Sequence, residues 1–167
     1  ARRPRLGVGG PRPRAGGGSW SRGSTQERAA ARPRGRGDEA MVREADFVKA
    51  LDLKRLLPTE AKTLPIEVSN ANRPGMQFAN YWDFFAYERP QLLGKVEMTY
   101  LSQLDESTRR ERLAKYFSYP LPCIIICRGY PCFDEMLVFA AAHNVPIYST
   151  KKETTTFELE LISYLRY

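Results

Sequence analysis

Pro122-Cys123-Ile124-Ile125-Ile126-Cys127-Arg128-Gly129 is the stretch on which the fold turns. It is apolar up to Cys127 and too short for a helix. A strand with no polar alternation has to be covered on both faces, so it belongs in the middle of a sheet. Arg128-Gly129-Tyr130-Pro131 then turns into a predicted helix, with Pro131 near its first position, where a missing N–H costs nothing. Asp134 and Glu135 fall in the first turn, favourable to the helix dipole. Met136, Leu137, Phe139 and Ala140 form the buried stripe, Asn144 and Pro146 end the helix, and Val145–Tyr148 reads as another strand. Strand, helix, strand at this spacing is a right-handed parallel βαβ unit.

Working outward, Thr155-x-x-Glu158 has the pattern of a capping box for a last helix, with Phe157, Leu161 and Leu165 on one stripe. On the amino-terminal side, Gln91-Leu92-Leu93-Gly94 reads as a short strand ending at a glycine turn. Met98, Leu101 and Leu104 mark one helix face. Ser107–Tyr116 reads as a second helix, with Leu113, Tyr116 and Phe117 inward and Arg109, Arg110 and Arg112 outward. Leu64–Val68 is a predicted strand, and Asn72-Arg73-Pro74-Gly75 a turn in which Gly75 takes φ > 0. Residues 43–57 suit a short helix running into an extended piece stopped by Pro58. The aromatic block Phe78, Tyr81, Trp82, Phe84, Phe85, Tyr87 follows neither period and is read as core or subunit contact; Asp83 and Glu88 argue against a nucleic-acid stacking surface. Glu88-Arg89 is read as an ion pair. The expected fold is α/β, a mostly parallel sheet with helices on both faces.

Residues 1–40 are different. They hold ten Arg against three acids, which is the whole net charge of +7, so residues 41–167 balance at 16 bases and 16 acids. Nine of the 12 glycines lie there, and Leu6 and Val8 are the only aliphatic residues larger than Ala. Such a segment cannot offset its ordering entropy and is expected to be a disordered tail. It reads best as translated upstream sequence ahead of Met41. A nucleic-acid arm is the alternative; frequent Gly and Pro disfavour a transit peptide. No run of ~18 apolar residues marks a membrane span. The three cysteines are read as free thiols of a cytoplasmic protein.

The chemistry-bearing residues are sparse. A P-loop needs G-x-x-x-x-G-K-[ST] to cradle phosphate; Gly94-Lys95 is followed by Val96 and has no glycine five residues earlier. Cys123 and Cys127 would share a strand face ~13 Å apart at ~3.3 Å per residue, too far for one zinc with ~2.3 Å bonds. No metal site and no catalytic residue is assigned. His143, the single histidine, reads as a helix-end residue. Arg128-Gly129 follows a strand and precedes a helix, where open α/β sheets bind anions. Arg73, Arg89, Arg128 and Gly129 are therefore the candidate anion, ligand or interface residues, beside the turn positions Pro74, Gly75 and Gly94.

Three motifs in order also resemble a known family: Asn72-Arg73-Pro74-Gly75, then Glu88-Arg89-Pro90-Gln91-Leu92-Leu93-Gly94-Lys95, then Pro122–Gly129. Together with Ile147–Thr156 they look like the amino-terminal domain of bacterial HPr kinase/phosphorylase, a likeness covering roughly residues 42–167. Pro90 and the pair Trp82/Phe84 depart from the family pattern, and the segment before Met41 has no counterpart. The resemblance implies a fold related to the nucleotide-binding domains of Mur ligases. It also implies that the ATP- and Mg-dependent serine kinase/phosphorylase chemistry, which controls carbon catabolite repression through the phosphocarrier HPr, resides in a carboxy-terminal P-loop domain absent here. On that reading residues 41–167 are a regulatory or assembly domain with no cofactor and no catalysis of their own. The parent would be cytoplasmic, homo-oligomeric and free of membrane or nucleic-acid partners. The alternatives are a stand-alone small-anion module using the Arg128-Gly129 turn and a Mur-ligase-like nucleotide-binding domain.

Overall fold

The computed structural model describes residues 41–167; the readings made for residues 1–40 fall outside them. The elements are β1 (Val42–Arg43), α1 (Glu44–Ala50), β2 (Lys54–Leu57), β3 (Thr63–Leu64), α2 (Gly75–Phe78), β4 (Gln91–Leu93), α3 (Lys95–Gln103), α4 (Glu106–Tyr116), β5 (Ile124–Ile126), α5 (Asp134–His143), β6 (Ile147–Ser149) and α6 (Thr154–Arg166). The sheet runs β2-β6-β5-β4. Strands β4, β5 and β6 are parallel, with Leu92, Ile125 and Tyr148 in register. Strand β2 is antiparallel to β6, with a slip between Arg55 and Leu57. Strands β1 and β3 form a separate antiparallel ribbon.

The expected α/β fold is thus present, and the strand alternation accounts for its two cores. Ile124 and Ile126 join Leu93 and Ile147 on one face, under Met98, Leu101, Leu113, Tyr116, Met136 and Ala140 of α3, α4 and α5. Cys123, Ile125 and Cys127 join Leu92 and Tyr148 on the other, under Phe47 and Leu51 beside Phe157 and Leu161 of α6. All five residues from Cys123 to Cys127 are fully buried. Burial pushes the Cys127 thiol up to about 11 and the Cys123 thiol higher, so both are neutral packing groups at physiological pH. Among the described residues no group of three or more His, Cys, Asp or Glu is placed to hold a metal, and no helix is long and apolar enough to cross a membrane.

Several local expectations are corrected. The strand predicted at Leu64–Val68 stops at Leu64; Pro65 has no N–H to continue a ladder. Gly75 does not take φ > 0 but opens α2, whose first bonds run from Phe78 N–H to the Pro74 carbonyl (3.0 Å) and from Ala79 N–H to Gly75 (3.1 Å). Pro131 lies before α5, whose N-cap is Phe133, and the left-handed Asn144 (φ 59°) ends that helix. Helix α6 starts one residue before Thr155 with Glu153 in the N-cap and no side-chain cap, so the capping box does not form. Arg109 and Arg112 do not point away. Arg109 reaches Glu135 (2.8 Å) and the Leu101 and Leu104 carbonyls, while Arg112 donates to Phe78 O at 2.6 Å. The aromatic block divides: Phe78 and Phe85 are core, but Phe84 is 97 % exposed.

Candidate functional site

The carboxyl edge of the parallel strands is where such a sheet presents ligand-binding loops. Strand β4 delivers Gly94 there, β5 delivers Arg128-Gly129, and β6 delivers Thr150–Glu153. Arg128 (φ 61°) and Gly129 (φ 67°) are both left-handed, the conformation of a turn whose second position suits glycine. Their N–H groups do not face open solvent as an anion nest. Arg128 N–H donates to Lys152 O and Gly129 N–H to Thr150 O, both at 2.9 Å. The turn therefore clasps the loop leading into α6. The Arg128 guanidinium lies 3.8 Å from Glu153, with the two side chains 41 % and 67 % exposed.

Arg73 reaches the same edge from the loop before α2. Its Nε and Nη2 donate to Glu97 Oε2 (3.1 Å) and Oε1 (2.9 Å), a two-point fork. Glu97 is buried, and its Oε1 also accepts the Gly94 N–H at 2.8 Å. Three residues separate Gly94 from Glu97, so the carboxylate closes back on the first orphan donor of its own helix. Gly94 is extended (φ −115°); its need is for space. A Cβ there would run into the Thr154 hydroxyl and Arg73 Nη2. The β4–α3 and β6–α6 junctions meet at this point, with the Cys127 thiol beside the Thr154 hydroxyl.

Arg89 does not join them. It precedes β4, at the strand's other end, and donates weakly to Ala71 O (3.4 Å) rather than pairing with Glu88. Of the candidate residues, Arg73, Gly94, Arg128 and Gly129 share one edge, Pro74 and Gly75 begin the adjoining α2, and Arg89 stands apart. Both arginines at this edge already face carboxylates.

Sequence reasoning missed the groups that organise these positions. Glu97 carried a signal, an acid three residues after a helix-opening glycine. Gln91 carried none. It is fully buried, its Nε2 donates to Ala86 O (3.2 Å) and Arg89 O (2.8 Å), and its Oε1 accepts from Asn72 Nδ2 (2.8 Å) and Tyr116 OH (2.9 Å). At the opposite edge of the sheet, Glu44 of α1 accepts Arg55 Nε (2.9 Å), Arg55 Nη2 (2.8 Å) and Tyr148 OH (2.8 Å). The Arg55 fork, opposed by burial and aided by the Tyr148 hydroxyl, holds the Glu44 carboxyl below its ordinary value.

Comparison with known proteins gives these features a family. The family model "HPr Serine kinase N terminus" matches residues 42–165. A curated HPr kinase/phosphorylase of Alkaliphilus metalliredigens is 44% identical over 119 residues, covering 71% of this chain and 38% of that protein. One from Caldanaerobacter subterraneus is 40% identical over 119 residues, covering 71% and 39%. The chain thus spans about two-fifths of the length of these relatives. Among solved structures, the CBS and DRTGG domains of the regulatory region of a Clostridium perfringens pyrophosphatase share the fold. The TM-score is 0.52 at 14% identity, covering 75% of this chain and 47% of that one. With the family model spanning nearly every described residue, the chain belongs to the HPr serine kinase amino-terminal domain family.

Proposed function

We propose that residues 41–167 form the non-catalytic regulatory and assembly domain of a bacterial HPr serine kinase/phosphorylase. The observation that carries this reading is the family match across residues 42–165 of a chain that lacks the P-loop sequence pattern. Phosphate transfer to and from HPr, with ATP and Mg, falls to a part of the parent enzyme that this sequence does not contain. The parent is cytoplasmic, acts in carbon catabolite repression and assembles as a homo-oligomer. The role left to this domain is mechanical: a rigid α/β unit whose internal charges are largely paired and which presents surfaces to other parts of the enzyme. A small-anion module at Arg128-Gly129 has less support, because both N–H groups of that turn are spent on the loop before α6.

A chimera tests the reading. Residues 42–165 should replace the matching segment of the Alkaliphilus metalliredigens protein with phosphorylation of HPr retained, whereas the present chain alone should transfer no phosphate to HPr from ATP or pyrophosphate. A folded but inactive chimera, or activity in the isolated chain after removal of contaminating kinases, would overturn it.

A further inference from the structure

A cleft of about 480 Å³ lies between the β2–β3 connection and the end of α5. Leu57, the last residue of β2, pairs with Ile147, the first of β6. The cleft is therefore at the amino edge of the parallel strands, opposite the Gly94 and Arg128 junctions. Its wall is apolar: Leu57 packs on the core beside the buried Ala140 and Val145. Its rim is polar. Glu60 is the only charged side chain in the lining, and among the described residues it has no ion-pair partner. Ala61 N–H donates to Thr59 Oγ1 (3.1 Å), a short turn with Glu60 at its centre. Across the cleft, α5 ends at the left-handed Asn144 (φ 59°). There the Asn144 and Val145 N–H groups close on the Ala141 and Ala140 carbonyls (3.4 and 2.9 Å). A helix end of this kind carries partial negative charge. The one basic residue of that last turn, His143, is not part of the lining; its ring lies against Phe117 (centroids 6.4 Å).

We infer that this cleft binds a small organic cation: an ammonium or guanidinium group on a short apolar chain that carries no acid. Charge selects the sign. The unpaired Glu60 carboxylate and the helix end both favour a positive head group, and a ligand with a carboxylate or phosphate would set like charges together. The wall selects the body, because Leu57, Ala141 and Val145 offer carbon to an alkyl chain and no further charge. Size selects a small molecule, since the volume falls in the range of about 300–1,000 Å³ typical of such sites. One exposed carboxylate contributes little by itself, so the affinity is modest, with a Kd of about a millimolar. The inference goes beyond the kinase reading and does not depend on it.

Titration of the full chain with n-butylguanidinium, followed through amide chemical shifts, tests it. The shifts should saturate and cluster at residues 57–61 and 140–145. The neutral 1-pentanol and the anionic pentanoate should bind about threefold more weakly or worse. Glu60→Gln, an exposed change that leaves the core untouched, should weaken binding of the cation about threefold or more at an unchanged Tm. Added salt should weaken binding to the wild type. Ala141→Leu, at an exposed helical position that suits Leu, should fill the cleft and abolish the shifts while the fold holds. No saturation by about 50 mM, well above a millimolar Kd, would overturn the inference. So would 1-pentanol binding as well as the cation, or binding indifferent to Glu60→Gln. Tighter binding of a capped arginine peptide would assign the cleft to a protein segment and overturn the small-molecule reading.

Discussion

The two buried forks, Arg73–Glu97 and Arg55–Glu44, look alike and do different work. Each glutamate is nearly buried and takes three hydrogen bonds, two from an arginine that remains about two-fifths exposed. The third donor differs. Glu97 takes the N–H that opens its own helix, so it completes a local turn. Glu44 takes Tyr148 OH from a residue 104 positions away, so it ties the first helix to the centre of the sheet. The surroundings differ as well. The Arg73–Glu97 fork abuts a glycine with no room for a methyl group. The lesson is that equal hydrogen-bond counts do not imply equal roles. One fork is hemmed in by its neighbours' volume, and the other ties distant elements together.

Crowding the first fork should have the largest effect. Gly94→Val puts carbon where the Thr154 hydroxyl and Arg73 Nη2 stand, and should cost about 2–3 kcal/mol, read by urea unfolding. Adding Thr154→Ala should recover part of that loss, and strict additivity would show that the contact does not couple the two junctions.

Acidification tests the second fork. Glu44 has its carboxyl held below the ordinary value of 4.5. Its stabilisation is therefore complete above about pH 4.5 and fades as pH falls through the lower folded value. Glu44→Gln should be less stable than wild type at neutral pH, and the gap should narrow as the solution is acidified through that range. Tyr148→Phe removes only the third donor and should cost about 1 kcal/mol. A gap that stays constant on acidification would show that Glu44 does not titrate as its partners require.

The smallest effect belongs to the loose pair at Arg128. It lies 3.8 Å from an exposed Glu153, a contact worth little, while its φ of 61° favours glycine. Arg128→Gly should change stability by no more than about 0.5 kcal/mol. A large loss would mean that the guanidinium does more than its contacts indicate.

These contrasts also mark how far the sequence could be read. Apolar continuity at Ile124–Ile126 and the stripe Met136–Ala140 announced the βαβ unit, because burial leaves a period in the sequence. Gly75 misled because Pro-Gly fits both a turn and the opening of a short helix; the bonds from Phe78 and Ala79 decide it. Thr155-x-x-Glu158 misled because α6 begins one residue earlier, with the Thr154 side chain packed inward against Gly94. At the candidate site the basic residues were legible one at a time. Their carboxylate partners were not, since Glu97 lies 24 positions from Arg73 and only folding brings the two together.

Both outer strands of the sheet carry features that discourage further pairing. On the far side of β4, Asn72 takes the place of a neighbouring strand, accepting the Leu92 N–H (2.8 Å) and donating to Pro90 O (3.0 Å). At the other margin, β2 carries Lys54 and Arg55 and slips its register after Arg55. Charge, irregular register and a covering segment are the devices that keep sheet margins from recruiting other chains. Among the described residues, these devices disfavour backbone pairing between copies at the margins of the four-stranded sheet. Contacts between copies are thereby left to side chains, whose symmetry decides whether an assembly closes.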